Sequence, residues 1–302
     1  MGPLQSSPMA MAAPDFYVEP AVMTTPGEHA DLFAPLPSDV GELTWVCHGL
    51  LIHEHMTGMY GVMLSEEARR EVQVRPIERR LGLLRAKDDR PLSIAREPAA
   101  RQSADCRHYS VLIVAMLRSK GIPARARCGF GTYFGTGRAE DHWVAEYWQP
   151  DAGRWALVDA QVDEVQRNVF HPAFDLLDVP RDRFLVAGDA WTRCRRGEAD
   201  PADYGLSMLG ESGLWWIAAN LIRDAAAVSN MEMLPWDCWG AMPEPTSVIP
   251  PADVELFDDL AALTHNPDSD FGEVRGLVAS EPRLRVPDVI WNANLRQREP
   301  VF

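Results

Sequence analysis

Residues 103–159 constrain the fold most, because a helix, a hard stop and a paired ribbon follow one another there without interruption. Tyr109, Leu112, Ile113, Met116 and Leu117 recur at i, i+3, i+4, i+7 and i+8, which is one apolar stripe of a helix reaching Lys120. Ser103 or Asp105 can cap its start. Gly121 and then Pro123 end it, a left-handed cap followed by a residue that cannot continue the helix. Three strand-like runs come next, over 124–134, 142–148 and 154–159. The last two flank Gln149-Pro150-Asp151-Ala152-Gly153, a strong hairpin turn. A helix packed on an antiparallel ribbon is predicted, which is an α+β core.

The flanks are read more coarsely. Residues 1–40 are rich in Pro, Ala, Ser and Met without periodicity, so an irregular or disordered arm is expected. Met1-Gly2 with Ser6 formally fits an N-myristoylation pattern, which we set aside as a chance match. A helix is predicted from Ser38-Asp39 towards Met63, another from Ser65, and a further helical stretch after Pro76 up to Leu84. The predicted organisation is a single domain over 41–302, with its core at 100–180 and a largely helical extension from about 200 to 302. Within that extension 211–229 reads as a helix and 254–263 as a second, separated by the proline-rich run 242–251.

Charge narrows the partners. With 29 basic and 44 acidic residues the net charge is -15, which repels phosphate backbones and excludes nucleic acid or an anionic membrane as a general partner. No stretch is long and apolar enough for a membrane span, and no basic segment followed by an apolar run opens the chain, so a cytoplasmic location is expected. The five cysteines are scattered and form no C-x-x-C pair, which argues against a disulfide framework or a thiolate zinc site.

One of them is placed for chemistry. Cys106 falls in the first turn of the central helix, where free backbone N–H groups and the helix dipole favour a thiolate. With the hairpin turn centred between Asp151 and Ala152, Val144 opposes Asp159 and His142 opposes Gln161. His142 and Asp159 then share a face as a diagonal pair, with Cα atoms about 7–8 Å apart. A one-residue bulge would separate them.

The stretches Asp105-Cys106-Arg107-His108-Tyr109, Met116–Arg125 with Gly121-Ile122-Pro123-Ala124-Arg125, Asp141-His142-Trp143-Val144-Ala145-Glu146-Tyr147 and Arg154-Trp155-Ala156-Leu157-Val158-Asp159 resemble the transglutaminase-like superfamily. The four blocks stand in the family's order, over about residues 100–165. The resemblance implies a papain-like, transglutaminase-like α+β fold, with the Cys-bearing helix packed on an antiparallel sheet, a helical N-terminal preamble and a helical C-terminal extension. By position it implies Cys106 as nucleophile, His142 as base and Asp159 as the residue that orients the imidazole. It departs from the family where Ala160-Gln161 replace the usual Pro-Thr, and no acidic loop resembles a calcium site.

The expected reaction is thiol-dependent acyl transfer or amide hydrolysis through a thioacyl-enzyme, on a peptide, protein or small acyl and amine substrate, without cofactor. Gln102 is the candidate oxyanion donor beside the Cys106 N–H. Trp143, Gln161, Trp236 and Trp239 are candidate pocket residues, although large aromatics more often build core. Cys47-His48 with His53-Glu54-His55 is ligand-rich, but read as one helix it offers no three-ligand face, so no metal is assigned. Two rivals remain: a catalytically idle binding module that keeps the fold, and a metal-dependent enzyme built on that cluster.

Overall fold

The computed structural model describes residues 13–269 and 271–302. Gly2 and Ser6 lie outside them. The central helix, α3 (Cys106–Ser119), is preceded by α1 (Val40–Leu50), β1 (Leu51–His53), α2 (Ile77–Lys87) and β2 (Gln102–Ala104). The ribbon follows as β3 (Ala124–Gly131), β4 (Ala139–Gln149) and β5 (Arg154–Val158). After it come β6 (Phe184–Val186), α4 (Ala187–Arg195), β7 (Tyr204–Leu206), β8 (Glu211–Ser212) and α5 (Leu214–Val228). The C-terminal part holds β9 (Asp237–Cys238), α6 (Pro251–His265), α7 (Phe271–Ser280), β10 (Val289–Asn292) and β11 (Gln297–Pro300).

Strands β6-β3-β4-β7-β8 form one sheet, with β5 also paired to β4. β3, β4 and β5 are antiparallel neighbours, whereas β7 runs parallel to β4. The stripe on α3 explains the packing: Tyr109, Leu112, Ile113 and Met116 are buried against Ala124, Ala126, Cys128, Trp143 and Ala145, one face of the ribbon. Gly129 stands opposite His142 and must be glycine, because a Cβ there would fall 2.0 Å from the Leu185 carbonyl oxygen of β6.

One expectation is corrected and two are sharpened. Residues 13–40 are irregular and packed. Tyr17, Met23, Phe33 and Leu36 are all buried, the Tyr17 hydroxyl donates to the Val228 carbonyl at 2.7 Å, and the Ala124 N–H donates to the Tyr17 carbonyl. Large apolar side chains find sockets there that composition does not reveal. The helix predicted to run towards Met63 stops at Leu50, because Leu51–His53 pair as a strand with Gln102–Ala104. Lastly, the C-terminal extension is largely helical as expected, and it also carries β9, β10 and β11 as a small antiparallel sheet. Among the described residues no helix is long and apolar enough to cross a membrane.

Candidate active site

The hairpin keeps the expected register: Ala145 pairs with Val158 and Glu146 with Leu157, with no bulge between. His142 and Asp159 therefore fall on one face, and His142 Nε2 lies 3.0 Å from Asp159 Oδ2. An ionised carboxylate only accepts, so Nε2 donates and Nδ1 is left as the basic ring nitrogen. Asp159 also takes the Tyr133 hydroxyl on Oδ2 at 2.8 Å and the N–H groups of Gln161 and Val162 on Oδ1 at 2.9 and 3.3 Å. Burial alone would raise its pKa, but His142, Tyr133 and the Gln161 N–H outweigh burial and hold the carboxyl below its ordinary value. Edge-on aromatic rings wall the imidazole, with Phe134 at 4.8 Å, Tyr133 at 5.9 Å and Phe184 at 6.3 Å between centroids.

Cys106 is the first residue of α3. Asp105 caps the helix in an extended conformation (φ −121°, ψ −178°), with its side chain accepting from the His108 N–H while the His108 ring reaches back to the Asp105 N–H. This is a capping box with His in place of Glu or Gln. The backbone N–H groups of Trp143 and Arg107 face the sulfur, so Cys106 meets the ribbon one residue past His142. The thiol and the imidazole are not hydrogen-bonded to each other. Burial, followed by the Asp105 and Asp141 carboxylates, pushes the thiol well above its ordinary pKa against the pull of those two N–H groups. Burial and the two carboxylates thus work against the thiolate that the helix start was expected to favour.

Gln102 is fully buried, its amide donates to the Arg80 carbonyl at 3.4 Å, and its side-chain oxygen is buried without a partner. Gln161 lies close to the pair through its N–H, while its side chain bonds Gln166 at 3.2 Å. Trp143 is buried in the core beneath α3, on the face opposite His142. Trp236 donates to Gln73, ahead of α2, and Trp239 to the Leu284 carbonyl, so both indole N–H groups are engaged. Tyr133 went unread in the sequence. Strand parity could have found it, because Gly129 opposes His142 and residues 131 and 133 continue on that face.

The ligand-rich cluster is split between helix and strand, and among the described residues no group of three or more His, Cys, Asp or Glu is placed to hold a metal ion. Glu54 in that cluster is nevertheless unusual: burial, then Asp105, raise its pKa to about 7 against Arg69. A cavity of ≈ 620 Å³ lies elsewhere, over Arg125, Arg127, Glu146, Arg181 and Asp268, and is distinct from the His142–Asp159 pair.

Residues 81–160 match the family model of the transglutaminase-like superfamily. Over that segment the chain is transglutaminase-like. The match spans α3, the ribbon and both members of the ion pair except for the strands that follow, and it supports a family of thiol-dependent enzymes. A solved structure from Cytophaga hutchinsonii, called a "putative cysteine protease", is similar at 15% identity and a TM-score of 0.30. The likeness covers 56% of this chain and 44% of that one, less than half of that protein's length. No curated protein matches.

Proposed function

We propose that Cys106, His142 and Asp159 carry out thiol-dependent acyl transfer or amide hydrolysis on a peptide, protein or small acyl substrate. The observation that carries this reading is the 3.0 Å bond between His142 Nε2 and Asp159 Oδ2, which leaves Nδ1 as the basic nitrogen, while the backbone N–H of the adjacent Trp143 faces the Cys106 sulfur. Because the thiol pKa is high, the proton leaves as the sulfur attacks and not before. His142 Nδ1 accepts it, Asp159 stabilises the resulting imidazolium, and the imidazolium returns the proton to the departing amine. Water or an amine then resolves the thioester. Free cysteines throughout fit a cytoplasmic setting.

A second reading, a binding module that keeps the fold without turnover, draws on the protonated thiol and its missing bond to His142. Mixing the protein with p-nitrophenyl acetate and mapping the acetyl adduct by mass spectrometry separates the two. Acetylation of Cys106 with release of nitrophenol, abolished in Cys106→Ala at an unchanged melting temperature, is expected. No adduct at Cys106 leaves the binding module.

A further inference from the structure

His53 pairs with Ala104 across the parallel β1–β2 ladder. Side chains of paired residues leave a ladder on the same side, and Asp105 is extended, so Ala104 and Cys106 also point one way. His53 thus stands on the Cys106 side of β2, where Asp105, His142 and His108 act on it electrostatically. Its Nδ1 accepts the His55 N–H at 3.3 Å, which puts the proton of the neutral ring on Nε2. Nε2 makes no hydrogen bond within the protein and is not among the atoms sealed in its interior. Burial above all, joined by His55, His142 and His108, overrides Asp105 and pushes the pKa down to about 3, so the ring stays neutral at any working pH.

We infer that His53 Nε2–H, together with the backbone N–H of Cys106, receives the oxyanion formed when the Cys106 sulfur adds to an acyl carbonyl; this rests on the reading of Cys106 as nucleophile. In that step the S–C bond forms, the carbonyl π pair moves onto oxygen, and the thiol proton passes to His142 Nδ1. Collapse re-forms the carbonyl and breaks the bond to the leaving group, which takes the proton from His142. His53 neither gains nor loses a proton. Being neutral, it stabilises the developing charge without forming a resting ion pair with the sulfur. The Cys106 N–H is free for the same task, because the first N–H groups of a helix have no carbonyl within the helix to bond.

The test compares two reactions of the same sulfur. Acetylation by p-nitrophenyl acetate passes through an oxyanion, whereas alkylation by iodoacetamide does not. In His53→Phe the acetylation rate constant should fall about 100- to 1,000-fold, the loss typical of one oxyanion donor, while alkylation of Cys106 proceeds as in the wild type. His53→Gln, which can set an N–H near Nε2, should recover much of the acetylation. Should the phenylalanine variant fail to fold, His53→Ala is read the same way. Equal acetylation in variant and wild type, or acetylation and alkylation lost in parallel, overturns this role of His53 and leaves the nucleophile standing. Absence of Cys106 acetylation in the wild type overturns the nucleophile, and the donor with it.

Discussion

Two buried ionic assemblies share one face of the same ribbon, and they are finished differently. Around Glu146 every fork is filled. Arg125 Nε and Arg127 Nη1 reach Glu146 Oε2 at 2.6 and 3.2 Å, and Arg181 Nη2 reaches Oε1 at 2.8 Å. Arg127 also grips Asp224 of α5 through two bonds of 3.0 and 2.8 Å and donates to the Thr264 carbonyl. Four residues along β4, around His142, atoms are left over. Nδ1 of His142, Nε2 of His53 and the Cys106 thiol make no hydrogen bond to protein side chains, and Asp105 Oδ2 and His108 Nε2 are buried without partners. The first assembly ties the ribbon to α5 and α6. The second holds one bond firmly, His142 to Asp159, and leaves the other groups without protein partners, as the proposed reaction at Cys106 requires.

The largest effect expected from breaking this contrast is at Asp159. Oδ1 is fixed by two backbone N–H groups, so in Asp159→Asn the amide nitrogen must take the place of Oδ2 and face His142 Nε2. Nε2 then has to accept, the ring proton moves to Nδ1, and the base loses its lone pair on the side of the sulfur. Steady-state turnover should fall by about four orders of magnitude, as when a triad aspartate elsewhere is replaced and the tautomer inverts, with the circular dichroism spectrum unchanged. A variant within tenfold of wild type would remove Asp159 from the mechanism.

The matched assembly should answer in stability and not in rate. Arg127→Met leaves Asp224 in the interior with only the Cys128 N–H, while Glu146 keeps Arg125 and Arg181, a loss of roughly 3–5 kcal/mol for a buried pair broken on one side. Urea denaturation should register it, while the folded fraction keeps its acetylation rate. Burial pushes the Glu146 carboxyl up, but Arg125, Arg127 and Arg181 hold it well below its ordinary value. Its contribution is therefore complete above the usual carboxylate range and is lost only as pH falls through its depressed pKa. Wild-type protein should accordingly keep its melting temperature through mild acid better than Arg127→Met does.

The contrast also explains what could be read in advance. The stripe on α3, the Gly121–Pro123 stop and the turn at 149–153 are local signals, and with the turn in place strand parity alone brought His142 and Asp159 together. His53 escaped because its role depends on β1 pairing with β2 across some fifty residues of chain, and the same pairing cut short a helix that looked continuous. The sockets of Tyr17 and Met23 escaped for a similar reason: irregular backbone carries no period, and only distant elements create the hole each side chain fills. The thiol pKa was legible only in part, because the helix start is visible in sequence, whereas Asp141 arrives from another strand.

That last point gives the smallest and sharpest effect. Asp141 accepts the Trp216 indole N–H at 2.6 Å, a bond that the carbonyl oxygen of asparagine can retain, so Asp141→Asn removes charge with little change of shape. Burial raises the Cys106 thiol most, Asp105 next and Asp141 after it, and deleting one of the two carboxylate charges should lower the pKa without bringing it to the ordinary thiol range. The iodoacetamide rate at Cys106 follows the thiolate fraction, so the wild type should show a rate still climbing above the pH where an ordinary cysteine of pKa about 8.5 levels off. The Asp141→Asn profile should keep its shape and move to lower pH, with turnover at neutral pH slightly higher. Superimposed profiles would mean that desolvation alone sets the thiol, and the carboxylates around Cys106 would then belong with the structural charges of the ribbon and not with its open end.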